Sequence, residues 1–418
     1  MIKHVSTCFL EGVVEIPSSK SDGQRAILCS GLCSGKSTIE NLGDSDDEFA
    51  MLDNIQRMGA SVKSIKKKKF EIEGIIDLTE DLELNCGESG LGLRLTTCVL
   101  AAFDGRKQIT GHGSILKRKH SFFDQFFAKN ELRFSSNNGK LPFEIEGKLN
   151  GGVYSVDGSQ SSQFISGLLI ALPLLEEDSI LKVHRLKSKP YVQMTLDTIR
   201  KFGIEIECEN YEHFVIKGRQ EYLGTNYSVE NDWSSASYWL AASAIGHQVR
   251  LKGLNLRSSQ ADKWMLEALK NAGCCIVEED GLVQFKEVDL KHFEFDATDC
   301  PDLFPALVSV AAFCDGKSII HGVNRLQNKE SNRALVLKNE FAKLGLRIEL
   351  VGDEMHVNGG GELHGGIVDS NNDHRIAMSL AIVGTRVDQG VEILDAQSVT
   401  KSYPSFWEDL TQLMIVDH

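Results

Sequence analysis

Six short polar stretches carry most of the side chains in this 418-residue sequence that could bind or transform a small charged molecule: KSDGQR, GESGLGLR, GSQSSQF, NDWSSAS, DCPD and NNDHR. Each leads into an apolar segment, such as LTTCVLAAF, FISGLLIALPLL, ASYWLAASAI, ALVSVAAF and IAMSLAIVG. Ser, Asp and Gly at such a junction are good N-caps, and capping alone explains any one of them. Six together point further. A helix start presents unpaired N–H groups and about half a positive charge. Lys20, Arg25, Arg94 and Arg375 are therefore unfavourable there unless an anion comes between. The chemistry that suits these residue types is the capture of small molecules bearing phosphates and carboxylates.

The elements that must position these groups recur along the chain. A strand, a helix ending in Gly or a loop, and two more strands return at intervals of roughly 70 residues. Clear copies run STIENL, DDEFAMLDNIQRMG, ASVKSI, KFEIEG; SILKVHRL, YVQMTLDTIRKFG, IEIECE, HFVIKG; QVRLKGL, ADKWMLEALKNAG, CCIVEE, LVQFKE; and SIIHGV, SNRALVLKNEFAKLG, LRIELV, EMHVNG. Weaker copies begin at RKQITG and at VEILDA. Gly59, Gly203, Gly273 and Gly345 stand where a C′ glycine ends a helix. Each unit also owns a more apolar helix, starting near Gln24, Leu93, Ser162, Ser235, Asp302 and Asp373, that should be buried on all sides. Three units per domain imply two domains, 20–229 and 1–19 plus 230–418, the N-terminal strand crossing back to complete the second. Parallel buried helices then bring their N-termini to one face of each domain, and two such faces across a cleft form an anion trap.

Bulk properties remove other classes. The formal net charge of −14 argues against nucleic acid as the main partner, which needs a basic face. No apolar run reaches the roughly 18 residues of a membrane span, and MIKHVSTCFLEGVVEIP lacks the pattern of a signal peptide, so a cytoplasmic address is expected. Ten cysteines without metal-type spacing read as reduced thiols. HRIAM has no partner at ligand spacing, so His374 is not a metal ligand. The run Lys66 to Lys69 reads as a solvated hairpin turn. GLCSGKST fails as a phosphate-binding P-loop because Gly31 precedes Gly35 by four residues where five are needed.

Read in order, the polar stretches resemble the 5-enolpyruvylshikimate-3-phosphate (EPSP) synthase family over nearly the whole chain. The resemblance implies a two-domain, inside-out α/β barrel-like fold of six βαβαββ-type units and an active site in the interdomain cleft. It also implies transfer of the enolpyruvyl group of phosphoenolpyruvate to the 5-hydroxyl of shikimate 3-phosphate. Lys20, Ser21 and Arg25 match its first signature; Gly87, Glu88, Ser89, Gly90 and Arg94 match the phosphoenolpyruvate segment, with Gly90 at the position governing glyphosate sensitivity. For shikimate 3-phosphate the resemblance implies Lys20, Ser21, Arg25, Ser161, Ser162, Gln163, Ser188, Tyr191, Asp302 and Lys329. For phosphoenolpyruvate it implies Lys20, Gly90, Arg94, Arg118, Gln163, Arg333, His374, Arg375 and Lys401. Asp302 becomes the base at the hydroxyl, and Glu330, with Lys20, handles the proton at C3. No metal or organic cofactor is expected, because phosphoenolpyruvate brings its own activated enol. A monomer is expected.

Some positions depart from the family pattern. Ser18 stands where Gly is usual, Leu95 and Lys119 where Pro is, and Asn332 where Asp is. Ser18 could narrow the approach beside Lys20, and Leu95 with Glu88 could alter packing around Gly90. Two other classes compete. A transferase of the same fold acting on UDP-N-acetylglucosamine carries a reactive cysteine in a loop that has no counterpart here, and thiol alkylation discriminates it. A catalytically silent anion-binding protein is disfavoured by the presence of Lys20, Asp302 and Glu330.

Overall fold

A helix that is apolar on every side must be covered on every side; among the described residues four helices are buried at every position and two more at all positions beyond their first turn. The computed structural model describes residues 1–75, 78, 81–286, 289–327 and 329–415. Glu287, which closes the LVQFKE stretch, and Asn328, which opens NKESNR, lie outside them. The chain divides into two units, Ser18–Glu230 and Met1–Pro17 with Asn231–His418.

In Ser18–Glu230 the helices alternate between buried and outer positions: α1 (Lys20–Gly31), α2 (Asp46–Arg57), α3 (Gly90–Leu100), α4 (Ser121–Lys129), α5 (Ser162–Ala171) and α6 (Lys189–Lys201). Every residue of α3 is buried. Leu93, Leu95, Val99 and Leu100 are fully enclosed, each contributing roughly 1.5–3 kcal/mol of burial. α3 packs against α5 and α1. By contrast α2 keeps one apolar stripe and begins with a capping box, Ser45 and Glu48 each bonding the other's backbone N–H.

Three four-stranded sheets surround these helices with one pattern, a parallel pair followed by an antiparallel hairpin. Asp81–Asn85 and Arg106–Thr110 are parallel, then come Lys140–Glu146 and Arg133–Asn137. Val153–Asp157 and Ser179–His184 repeat the arrangement with His213–Ile216 and Ile206–Glu209. The third sheet takes its first strand from the far end of the unit: Asn226–Ser228 lies parallel to Lys36–Glu40, followed by Lys69–Glu73 and Ser61–Lys66.

The other unit holds α7 (Trp233–Ala244), α8 (Met265–Asn271), α9 (Phe304–Ala311), α10 (Arg333–Ala342), α11 (His374–Gly384) and α12 (Phe406–Leu413). All residues of α7, α9 and α11 are buried. Its first sheet borrows the N-terminal strand, Phe9–Glu15 lying parallel to Gln248–Lys252. Glu294–Asp296 and Gly316–His321 form the parallel pair of the second sheet. The third, His364–Asp369 with Asp388–Leu394, is closed by Lys3–Val5 and not by a hairpin of its own. That substitution is why the sixth copy reads weakly in the sequence.

Local expectations meet the structure at several points. Gly59, Gly203, Gly273 and Gly345 all have left-handed φ just past a helix end. Of the Lys66 to Lys69 run, only Lys67 and Lys68 form the turn, since Lys66 and Lys69 belong to its strands. Three buried helices start earlier than expected, at Lys20 and not Gln24, at Gly90 and not Leu93, and at Trp233 and not Ser235. Asp302 lies not in a helix's first turn but in a 3-10 turn, Pro301–Leu303, ahead of α9. Pro301 and Pro305 bracket that turn, lacking the N–H groups a regular helix would use further in.

Candidate active site

In Ser18–Glu230 the starts of the buried helices lie side by side. Ser89, the N-cap of α3, accepts from the Gly92 N–H and donates its hydroxyl to Gln24 of α1 at 2.9 Å. Arg94 donates to the Gln163 side-chain oxygen of α5 and lies 5.3 Å from the Phe164 ring centre. Ser161 caps α5 by accepting the Gln163 N–H at 3.2 Å, with Ser162 buried next to it.

Arg25 is buried, and all four of its hydrogen bonds end on neutral oxygens: the Ser21 carbonyl at 2.6 Å, Thr195 Oγ1 at 2.8 Å, the Tyr191 carbonyl at 3.2 Å and Ser166 Oγ at 3.3 Å. Burial lowers its pKa to about 10, against a smaller opposing pull from Asp22. A guanidinium enclosed this way is held in place, among the described residues, with its charge uncompensated by any direct carboxylate contact, a setting that favours an incoming anion. Ser188, buried with left-handed backbone, starts the α6 helix that brings Tyr191 and Thr195 to it.

Gly90 is the first residue of α3, and two guanidiniums meet over it. A Cβ there would lie 3.0 Å from Arg118 Nη1 and 3.3 Å from Arg94 Nη1. His120, buried next along the chain, has its pKa pushed down to about 2 by burial and then by Arg94 and Arg118. The imidazole is neutral, so the positive charge stays on the two arginines. Lys20 pairs with Asp47 at 3.0 Å. Behind that pair lies Glu48, whose carboxyl burial raises to about 7 although its hydrogen bonds and Lys20 pull it down.

The other unit gathers a denser cluster. Asp302 receives Arg333 Nη1 at 2.7 Å, Arg375 Nη2 at 3.1 Å and Lys329 Nζ at 3.2 Å. Arg333 also contacts Glu330 at 2.5 Å and Asp373 at 2.8 Å. Asp373 in turn caps α11 by accepting the Arg375 N–H. Burial by itself would raise the Asp302 carboxyl, but Arg375, Lys329 and Arg333 together hold it well below the usual range. Burial lowers Lys329 despite Asp302. His374 is buried with Nδ1 4.0 Å from Asp373, and Lys401 donates to the Asn372 carbonyl at 2.8 Å.

Of the residues expected from the sequence, the structure thus joins Ser21, Arg25 and Tyr191; Gly90, Arg94, Arg118 and Gln163; and Asp302, Lys329, Glu330, Arg333 and Arg375, with His374 and Lys401 on the flanks of the last group. Sequence reasoning passed over Asp47, His120, and Asp262, a buried carboxyl raised to about 7 by burial and by Asp302. Asp47 looked like an ordinary first-turn acid, and nothing in the spacing of Asp262 or His120 sets them apart. Among the departures, Ser18 is buried, Leu95 is core, and Asn332 caps α10 by accepting the Leu335 N–H. The ten cysteines are free thiols. Among the described residues, no group of three or more His, Cys, Asp and Glu is placed to hold a metal ion.

Comparison with known proteins agrees across the chain. Residues 7–410 match the family described as EPSP synthase (3-phosphoshikimate 1-carboxyvinyltransferase). The 3-phosphoshikimate 1-carboxyvinyltransferase of Clostridium perfringens is 40% identical over 408 residues, spanning 97% of this chain and 96% of the relative. That of Clostridium acetobutylicum is 39% identical over 420 residues, 98% and 96% of the two chains. Among solved structures, an EPSP synthase from Acinetobacter baumannii superposes with a TM-score of 0.81 at 24% identity, covering 99% of this chain and 98% of that one. The enolpyruvyl transferase NikO from Streptomyces tendae gives 0.78 at 16% identity, covering 99% and 97%. The last two share the fold, which is the α/β enolpyruvyl transferase architecture. Matched along almost its entire length by the family and by relatives at this identity, the chain belongs to the EPSP synthase family.

Proposed function

We propose that this protein transfers the enolpyruvyl group of phosphoenolpyruvate to the 5-hydroxyl of shikimate 3-phosphate, releasing phosphate and 5-enolpyruvylshikimate 3-phosphate in the route to chorismate and the aromatic amino acids. One observation carries the reading at the level of side chains: cations cluster at buried helix starts in both units, around Arg25, around Gly90, and around Asp302. Two substrates bearing phosphates and carboxylates repel each other, and bringing them to reacting distance requires such charge.

In this reading shikimate 3-phosphate is held by Lys20, Ser21, Arg25, Ser161, Ser162, Gln163, Ser188, Tyr191, Asp302 and Lys329. Phosphoenolpyruvate is held by Lys20, Gly90, Arg94, Arg118, Gln163, Arg333, His374, Arg375 and Lys401, with Gly90 setting the response to glyphosate. The hydroxyl oxygen attacks C2 as its proton passes to Asp302, and C3 gains a proton from the Glu330 and Lys20 groups. The C3 proton is then given back, and the proton taken from the hydroxyl passes to the departing phosphate as the C–O bond to phosphate breaks. A carboxylate held down by three cations is a weak base. An anion that draws Arg375 or Lys329 toward itself loosens that hold and strengthens Asp302 as a base. The reaction as written balances without a metal or organic cofactor. We further propose a cytoplasmic monomer: no helix of the described residues is long and apolar enough to cross a membrane, and ten free thiols suit a reducing compartment.

A phosphate-release assay with both substrates tests the reading. Turnover that needs both, and that falls by on the order of 100-fold or more in Asp302→Asn and in Glu330→Gln with melting unchanged, is the expected result. No phosphate release from the wild-type protein sinks it, and wild-type rates in both variants remove the acid–base roles.

A further inference from the structure

Glu88 is a carboxylate beside a cluster built for anions, a placement that direct contact with substrate does not explain, since like charges repel. Its geometry gives it different work. Glu88 Oε2 accepts the Ser114 N–H at 2.7 Å, in the first turn of the 3-10 segment Gly113–Lys117. The carboxylate fills the space beside Gly113, where a Cβ would come within 2.3 Å of it and where φ is +62°. The neighbouring backbone is tied to the same loop, His112 N–H donating to the Gly87 carbonyl at 3.0 Å. Ser114 then accepts from Arg118 Nη2 through its hydroxyl at 3.2 Å. The Arg118 N–H closes the turn on the Ile115 carbonyl at 3.2 Å. The other guanidinium nitrogen, Nη1, stands over Gly90.

We propose that Glu88 is a positioning residue: by fixing the Gly113–Ser114 turn it sets the Arg118 guanidinium over Gly90, and so acts on phosphoenolpyruvate only through Arg118. The proposal rests on the assignment of Arg118 to phosphoenolpyruvate. What Arg118 takes from Glu88 in this reading is the oxygen that receives the Ser114 N–H, and Gln supplies such an oxygen as well.

Steady-state kinetics of Glu88→Ala, Glu88→Gln, Arg118→Ala and the Glu88→Ala/Arg118→Ala pair test this. In Glu88→Ala the KM for phosphoenolpyruvate rises about 10-fold while the KM for shikimate 3-phosphate and kcat stay within about 3-fold. Glu88→Gln returns the phosphoenolpyruvate KM to within about 3-fold of wild type. In the Arg118→Ala background, removing Glu88 adds nothing further, as required if both act through one group. An unchanged KM in Glu88→Ala alongside a raised one in Arg118→Ala overturns the proposal alone. So does a full additional loss in the double variant, which is the mark of a general structural role, and so does a Gln variant as impaired as Ala. An unchanged phosphoenolpyruvate KM in Arg118→Ala overturns the assignment beneath it.

Discussion

Buried guanidiniums are handled in two ways in this protein. Arg25 is wrapped in neutral oxygens, whereas Arg333 and Arg375 are matched to carboxylates, and their pKa values move in opposite directions for that reason. The first kind keeps its charge available, while the second must share it with Asp302 before it can meet an anion. Gly90 belongs to the same balance. Its missing side chain lets Arg94 and Arg118 approach the start of α3, and a methyl group there would force the guanidiniums back by tenths of an ångström. Gly90→Ala is expected to raise the phosphoenolpyruvate KM by about 10-fold with the shikimate 3-phosphate KM little changed. Initial-rate measurements varying each substrate in turn check this, and equal KM values in variant and wild type refute it.

The start of α2 shows how an element answers two demands at once. Glu48 completes the capping box with Ser45, which stabilises the helix, yet it is buried behind Lys20 and Asp47. Its carboxyl titrates near 4.5 when unfolded and at about 7 when folded. Between those values the folded protein holds the extra proton, so stability falls as pH rises through that window. The full shift amounts to on the order of 3 kcal/mol. Hydrogen exchange of α1 and α2 amides at pH 5 and pH 8 should show wild type losing protection relative to Glu48→Gln by up to that amount. Parallel behaviour of the two proteins would mean the carboxyl is not strained by burial. The capping box is a local feature, since Ser45 and Glu48 stand three residues apart. The burial is not, because it depends on what packs over α2.

On the scale of the whole chain, two strands are exchanged. The segment before α1, Phe9–Glu15, lies beside Gln248–Lys252, and the one before α7, Asn226–Ser228, lies beside Lys36–Glu40. The chain therefore ties its beginning into the unit formed mainly by its second half. Leu10, fully buried in that strand, reports on the exchange. Leu10→Ala is expected to cost about 2–5 kcal/mol and to lower hydrogen-exchange protection in Gln248–Lys252 and Met414–Ile415, leaving Lys36–Glu40 unchanged. Loss of protection in Lys36–Glu40 alone would contradict the pairing.

The sequence by itself determined the repeat, the buried helices, the C′ glycines and the polar, cation-bearing helix starts. Each of these is written in residues within one or two turns of each other, where periodicity and capping act. Resemblance then supplied most of the residues now found together. Only the tertiary structure decided which side chains meet: Lys20 with Asp47, Arg333 with Asp373 as well as Asp302, and Arg118 with the Ser114 hydroxyl behind Glu88. It also decided that Lys3–Val5 closes the last sheet. A charge pair forms when packing brings two side chains within about 3 Å, and that distance follows from how helices and strands from distant parts of the chain settle against each other, which no local pattern encodes.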